Sequence, residues 1–415
     1  MVTKLAPGRL DHLTFKGNLK HTRYGWLRLT PAYSVHLVSD LLEECASPDA
    51  VVLDPFCGTG TTALVCAEQG IACDTTDINP FLLWLTEVKS RSYTAQELEA
   101  LTGASLCVAD AMRNGRDHSS WFPSLHQIEK WWDEKTLAAL GHAMAEIKEI
   151  EQSAPEATAD LLKVAFCRVM IERANVSFGH QSMSFKKIAA HTSSLYSAET
   201  LALESWEHAV NTIADAASSE IRVKPRAIYC DARNLSTALD NDCYTCVITS
   251  PPYPNRMSYI RELRPYMYWL GYLRDGREAG ELDWQAIGGT WGVATSNAGK
   301  WTPEDNRKIQ FTGFDDILED IARHSHLLSR YVHKYFYDMV SHCNELFRVV
   351  KPGGTIHYIV GNSKFYDVML PVESIFTSLF EAAGFEQADV RVIRKRTSKK
   401  ELFEYVVSAR KPEQE

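Results

Sequence analysis

The sequence predicts an α/β fold, a mostly parallel sheet interrupted by a helical insertion. Two observations predict it. The first is the succession AVVLD (50–54), a Gly-containing turn, the helical pattern GTTALVCAEQG (60–70) and the apolar run IACDTTD (71–77). This is strand, helix, strand at the spacing of a right-handed parallel unit. The second is the return of short apolar strands after residue 222: RAIYCD (226–231), CYTCVITS (243–250) and TIHYIVG (355–361).

The elements follow in order. Gly70 stops the first helix, and Asn79-Pro80 opens the next, FLLWLTEVKS (81–90). Long helical patterns at roughly 134–150, 157–176 and 196–218 then break the alternation, with the polar segment SFGHQSMSFKK (177–187) between the last two. The chain therefore divides into a first α/β part (1–90), a helical insertion (91–222) and a second α/β part (223–415). Within the last, 272–325 is mixed, and its Gly/Trp/Thr/Asn stretch GGTWGVATSNAGKW (288–301) reads as a mobile or ligand-ordered loop. A helix near 325–350 ends at KPGG (351–354), and another covers 371–383. The runs ADVRVIRK (388–395) and LFEYVVSA (402–409) are joined by RTSKKE and predict an antiparallel pair at the sheet edge.

Composition bounds the function. The 415 residues are 45% hydrophobic and 23% charged, enough for a large core without disulfide staples. A net charge of −9 excludes a protein that coats nucleic acid over its whole surface, but not an enzyme with one basic cleft. SFKK (184–187), RVKPR (222–226) and RKRTSKK (394–400) are basic clusters able to line such a cleft or to form solvated faces. The ten cysteines are scattered, mostly in apolar runs, as free buried thiols are. Cys243 and Cys246 form a CxxC, but no second close pair completes a zinc site, so no metal is expected. No signal peptide opens the chain and no apolar run reaches membrane-spanning length, so a reducing cytoplasm is expected.

Two motifs carry chemistry. In LDPFCGTGTT (53–62) a strand ends on an acid and passes through Gly-x-Gly into a helix. The glycines let backbone approach a ligand, and the helix start offers free N–H groups. The phosphate-loop lysine is absent, and Ala63 takes the last position of a dinucleotide G-x-G-x-x-G. A carboxylate at this mouth, Asp54, suits a cationic ligand such as the ammonium and sulfonium of S-adenosylmethionine. Asp77, 23 positions on at the end of the second strand, is placed to accept ribose hydroxyls. The candidate cofactor contacts here are Asp54, Pro55, Phe56, Cys57, Gly58, Thr59, Gly60 and Thr61, with Asp77, Ile78 and Asn79.

The second motif is ITSPPY (248–253), where a strand ends in two prolines and a tyrosine. An exocyclic amino nitrogen of cytosine or adenine is a poor nucleophile, because its lone pair is conjugated into the ring. Two acceptors that bind its N–H atoms draw it toward sp³ and restore electron density. Ser250 Oγ and the Pro251 carbonyl are such a pair. Pro251 and Pro252 fix φ and remove competing donors, so the acceptors are preorganised. Tyr253 supplies a flat face for a base taken out of the duplex.

With these residues in view the chain resembles the DNA amino-methyltransferases, which methylate cytosine N4 or adenine N6. DPFCGTGTT is similar to their cofactor motif I, DINP to motif II and TSPPY to catalytic motif IV. YCDARNL (229–235) resembles motif III, with Asp231 and Ala232 beside the cofactor adenine, and LRLTPAYSVHLVSDLL (27–42) resembles motif X, with Thr30 near the methionine end. KPGG, IVGNS (359–363) and RKRTSKKELFEYVV resemble the later sheet elements. The resemblance covers about 25–90 and 225–410. It implies a Rossmann-like methyltransferase with a seven-stranded, mostly parallel sheet, S-adenosyl-L-methionine as cofactor and double-stranded DNA as partner, together with a separately encoded restriction endonuclease. A serine at Ser250 leans toward cytosine N4. The long insertion between motifs II and III departs from the family's best-known layout, and leaves 91–222 and 272–325 as two candidates for target recognition. No Pro-Cys dipeptide occurs, against cytosine C5 chemistry.

Arg256 and Tyr259 follow the corner and are expected to contact the flipped base or its phosphates, on a helix starting near 256. His180, Gln181 and Lys186 in the insertion are candidate DNA contacts, and Asn362 either lines the base pocket or caps a loop. An RNA amino-methyltransferase, a non-catalytic reader and a nucleotide-dependent oxidoreductase are the competing readings.

Overall fold

The computed structural model describes residues 3–4, 13–14, 18, 22–27, 29, 32–45, 47, 49–115, 119–177, 184–186, 197–255, 258–290, 292–305, 308–396 and 401–413. Its main sheet has seven strands: β1 (Val51–Asp54), β2 (Ala72–Asp77), β3 (Arg226–Tyr229), β4 (Tyr244–Thr249), β5 (Val350–Gly361), β6 (Glu386–Lys395) and β7 (Phe403–Arg410). Their order across the sheet is β6-β7-β5-β4-β1-β2-β3, with the two residues Thr3–Lys4 adding a short edge beside β6. From β3 to β5 every pairing is parallel. Only β7 runs against its neighbours. This is a Rossmann-like methyltransferase sheet, as the sequence predicts. The closing pair is antiparallel as expected, although β7 lies inside the sheet rather than at its edge.

The local reasons are legible. Along β1, Val52, Leu53 and Asp54 are buried, as in a strand covered on both faces. Helix α1 (Val35–Glu44) starts at Ser34, whose hydroxyl accepts the Leu37 N–H. Gly60, at φ 73°, opens helix α2 (Thr61–Gln69). A Cβ there would fall within 3.0 Å of three Thr86 side-chain atoms on helix α3 (Pro80–Lys89), so only glycine fits this close approach.

The insertion is helical. It contains α4 (Ala95–Asn114), α5 (Glu134–Ile150), α6 (Glu156–Glu172) and α7 (Ala198–Ala217). The sequence reading passes over α4, although Thr94 and Glu97 form a complete capping box. The 157–176 pattern ends early: Val176–Ser177 instead pairs with Ser184–Phe185 as a small hairpin. The insertion is not hung on linkers. Its Trp131, Trp132 and Trp206 share one apolar cluster with Phe81 and Leu85 of α3 and Trp269 of helix α8 (Tyr259–Trp269).

After α8 come α9 (Gly276–Gln285), α10 (Val293–Lys300), α11 (Phe314–Ala322), α12 (His326–Val349) and α13 (Val372–Ala383). The stretch 288–301 is therefore not simply a loop. Its Gly/Thr/Ser/Asn composition is poor in helix formers, and α10 forms because it packs on α9 and α12. Trp301 then stands edge-on to His333 and Tyr337 of α12.

One expectation fails in the core. Cys45, just after α1, and Cys246 on β4 are joined by a disulfide across 201 residues, a separation that leaves no spacing signal. Cys243 of the CxxC stays free. Among the described residues no helix is long and apolar enough to cross a membrane.

Candidate active site

Strand order reverses between β1 and β4, so the loops that leave their C-terminal ends diverge and open a cleft. Pro55, Phe56, Gly58, Asp77, Ile78 and Asn79 line one side of it. Ser250, Pro251, Pro252, Tyr253 and Tyr259 line the other, with Asp231 and Ala232 between. Two motifs more than 180 residues apart thus meet in one cavity.

On the first side Asp77 is held by the backbone. Its carboxylate accepts the Asn79 N–H at 2.9 Å and the Gly58 N–H at 3.3 Å, while burial pushes its pKa up to about 6. Asn79 caps α3 by accepting the Phe81 N–H at 3.1 Å. Asp231 is fastened to Arg233 through both oxygens. Burial alone would raise the Asp231 carboxyl, but this guanidinium and the Arg233 N–H hold it below its usual value.

Five of the proposed cofactor contacts do not line the cleft. Asp54 is wholly buried behind the wall, where it accepts donors from Thr249, Phe56 and Tyr33. Cys57 faces Thr86 at 2.9 Å, and burial raises its thiol. The Thr59 carbonyl accepts the buried Lys89 ammonium at 3.1 Å, whose pKa burial lowers to about 8. Gly60 is turned against Thr86, and Thr61 hydrogen-bonds Thr59 through their hydroxyls. Sequence placed them at the mouth because they adjoin Gly58. The helix turn points them inward instead. Thr30 lies outside the described residues.

The corner is braced from three directions. Ser250 Oγ donates to the Ile359 carbonyl at 3.1 Å, which leaves its lone pairs for an incoming donor. Tyr335 donates to the Pro252 carbonyl at 2.7 Å. The Tyr253 hydroxyl donates to Glu404 at 2.9 Å, its ring lies under the Arg396 guanidinium at 5.2 Å, and its N–H reaches the Tyr259 hydroxyl at 3.5 Å. Glu404 in turn accepts from Arg394 at 2.6 Å. Burial, with the Glu404 charge beside it, pushes the Tyr253 phenol well up, so it stays a neutral donor.

Sequence reading missed several of these groups. Tyr33, Ser34 and Leu37 line the cleft from the α1 segment. Arg394 and Glu404 are register partners across β6 and β7, a signal available only once that hairpin is aligned. His342 of α12 is wholly buried, with its Nδ1 2.8 Å from the Ala232 carbonyl and its ring edge-on to Phe56 at 4.9 Å. Burial lowers its pKa to about 4, so the neutral ring donates to that carbonyl and accepts the Tyr358 hydroxyl.

The second-rank residues divide. Tyr259 meets the corner, but α8 begins at Tyr259 after the Ser258 cap rather than near 256, and it is buried on most sides. Arg264 lies over Trp131 at 5.2 Å. Asn362 clasps the loop before β7, accepting the Phe403 N–H and donating to the Glu401 carbonyl, and does not line the cleft. Lys186 donates to the Ala174 carbonyl at 3.4 Å. Arg256, His180 and Gln181 lie outside the described residues.

Known proteins are similar to this chain. A family model of N6/N4 type, described as DNA methylase, matches residues 18–86, the stretch that contains the α1 wall, the glycine turn and Asp77. The match, with the two relatives that follow, supports an amino-methyltransferase of this family. This methyltransferase is 22% identical over 407 residues to the Type II methyltransferase M.AvaI of Nostoc sp., covering 92% of this chain and 83% of that one. It is 23% identical over 434 residues to the Type II methyltransferase M.BsoBI of Geobacillus stearothermophilus, covering 92% and 82%. Among solved structures, an rRNA methyltransferase, aviRa from Streptomyces viridochromogenes, aligns at 12% identity and a TM-score of 0.29 over 92% of this chain and 87% of that one. The fold assignment rests on the strand order.

The residues at the cleft fit S-adenosyl-L-methionine. A carboxylate ends β2, a side-chain-free Gly58 at φ 52° bares its backbone beside it, and Phe56 and Ile78 add apolar walls.

Proposed function

We propose that this methyltransferase acts on double-stranded DNA, at the exocyclic amino group of a base turned out of the helix, with cytosine N4 favoured over adenine N6 as the target. The observation that carries the reading is the shared cleft: the Ser250–Tyr253 corner and the Phe56–Asp77 wall open into one cavity at the sheet's switch point. S-adenosyl-L-methionine, when bound, supplies an electrophilic methyl group on a sulfonium.

The residues of the chain do the rest. Asp77 and Asp231 would hold the ribose and adenine ends, with Pro55, Phe56, Ile78 and Ala232 beside them. Ser250 Oγ and the Pro251 carbonyl accept the two N–H atoms of the target amino group, which raises the electron density of its nitrogen. Tyr253 stacks on the base, and Tyr259 steadies it from behind. No side chain is required as nucleophile or strong base.

Cytosine is favoured over adenine by the serine in the tetrad, on family tendency. Gln285, Ala286 and Ile287 reach the cleft, whereas no described residue of 91–222 does, which supports 272–325 as the segment nearer the base. The kinship with Type II methyltransferases supports a cognate endonuclease as partner.

Incubation of the protein with DNA or RNA and labelled S-adenosylmethionine, followed by nucleoside mass spectrometry, tests the reading. N4-methyldeoxycytidine is expected. N6-methyldeoxyadenosine would move the target to adenine, and label in RNA alone would overturn the DNA assignment.

A further inference from the structure

Asp54 ends β1, yet its carboxylate lies behind the cleft wall rather than in the cavity. Donors from its own turn and from two separate segments converge on it. Thr249 Oγ1 donates to Oδ1 at 2.6 Å and the Phe56 N–H to the same oxygen at 3.2 Å, while the Tyr33 hydroxyl donates to Oδ2 at 3.2 Å. Each donor belongs to one wall of the site. Thr249 immediately precedes Ser250, Phe56 begins the turn that carries Gly58, and Tyr33 lines the cleft from the α1 segment. Thr62 of α2 joins the same group through the Tyr33 hydroxyl.

We infer that Asp54 is a positioning residue, whose carboxylate sets the spacing between the cofactor turn and the catalytic corner while touching neither ligand. The inference rests on the S-adenosylmethionine reading of the cleft. Above about pH 7, where Asp54 is ionised, its carboxylate is the only side-chain group of this size that offers two oxygens and no donor. An amide in its place turns an N–H toward a group that already donates, and in a dry setting water does not replace the lost bond.

The test compares Asp54→Asn, Thr249→Val and Thr249→Ser by calorimetry with S-adenosylmethionine and by steady-state methyl transfer to DNA, with thermal unfolding as the check on folding. Thr249→Val is expected to lower kcat roughly tenfold, the value of one buried hydrogen bond, with cofactor affinity unchanged. Thr249→Ser keeps the hydroxyl and restores kcat. Asp54→Asn loses about tenfold in both constants, and the double variant with Thr249→Val is no worse in kcat than Asp54→Asn, because both remove one link. The proposal is overturned if the two effects multiply, if Thr249→Ser is as slow as Thr249→Val, or if Asp54→Asn loses cofactor affinity with kcat intact. Should Asp54→Asn fail to fold, the two Thr249 variants still decide. Failure of the functional reading looks different: the wild-type protein itself would then take up no S-adenosylmethionine.

Discussion

Tyr253 illustrates how little of a residue's role lies in its own chemistry. Its ring is useful for stacking only while Glu404, Arg396 and Tyr259 hold it. Tyr253→Ala is expected to reduce methyl transfer below detection while S-adenosylmethionine still binds in calorimetry; full turnover would discard the base-stacking role. Arg23 makes the same point for stability. Wholly buried, it donates to the carbonyls of Lys89 and Arg91 at and just past the end of α3 and to those of Ala216, Ala217 and Ser219 at and just past the end of α7. These are the free carbonyls that helix ends leave behind. Arg23→Met strands several of them, and a loss of about 3 kcal/mol or more is expected in urea unfolding. A lysine cannot span both helix ends, because it lacks the planar fork. Asp54 carries a pH signature as well. Burial raises its pKa from 3.8 to about 7, so the folded protein keeps a proton that the unfolded chain releases between those values. Stability is therefore lost as pH rises through that window, fully above pH 7 and not at all below the unfolded value. Asp54→Asn removes that part of the slope, measurable as a shallower fall of the urea midpoint between about pH 5 and pH 7.5.

At the scale of elements, strands were the most legible. AVVLD, IACDTTD and CYTCVITS appear as β1, β2 and β4 to within a residue or so, because each is a short apolar run bounded by turn residues. Helices were read less well. The capping box of α4 was present and unused, and α10 carries no propensity signal because packing alone forms it. The site was half legible for the same reason. Motif spacing located Phe56, Gly58, Asp77 and the Ser250–Tyr253 corner, but not which side of a turn Asp54 or Thr61 faces. Nor could it locate the β6–β7 brace behind Tyr253. Gly361, at the end of β5, tests that brace. A Cβ there would come 2.5 Å from Arg396 and 3.0 Å from Tyr253. Gly361→Ala is expected to displace the guanidinium and the ring and to lower kcat about tenfold, with cofactor affinity unchanged. Unaltered kcat would show that the stack is not needed for turnover.

At the scale of the whole molecule, the described residues form three apolar clusters, and the largest crosses from insertion to sheet helices. Trp84 of α3 donates to Asp160 of α6 at 2.9 Å, and Arg91 pairs with the same carboxylate at 3.1 Å. Deletion of 95–217 is therefore expected to give not a smaller enzyme but a collapsed one, with bared Phe81, Leu85 and Trp269. Dye binding and near-ultraviolet circular dichroism would detect it. A deletion variant with native dichroism would show the insertion to be an independent domain.

The sequence by itself determined the order of strands and motifs, the chemistry of the acceptor corner and the acids at two strand ends. These depend on neighbours along the chain, through alternation, turn residues and φ restriction. Tertiary structure alone decided which acid faces the cleft and which is buried, that Cys45 meets Cys246, that Arg23 ties two helix ends, and that Glu404 holds Tyr253. Those depend on parallel strands and crossovers that bring together residues some 150 to 200 positions apart, at distances that no local pattern encodes.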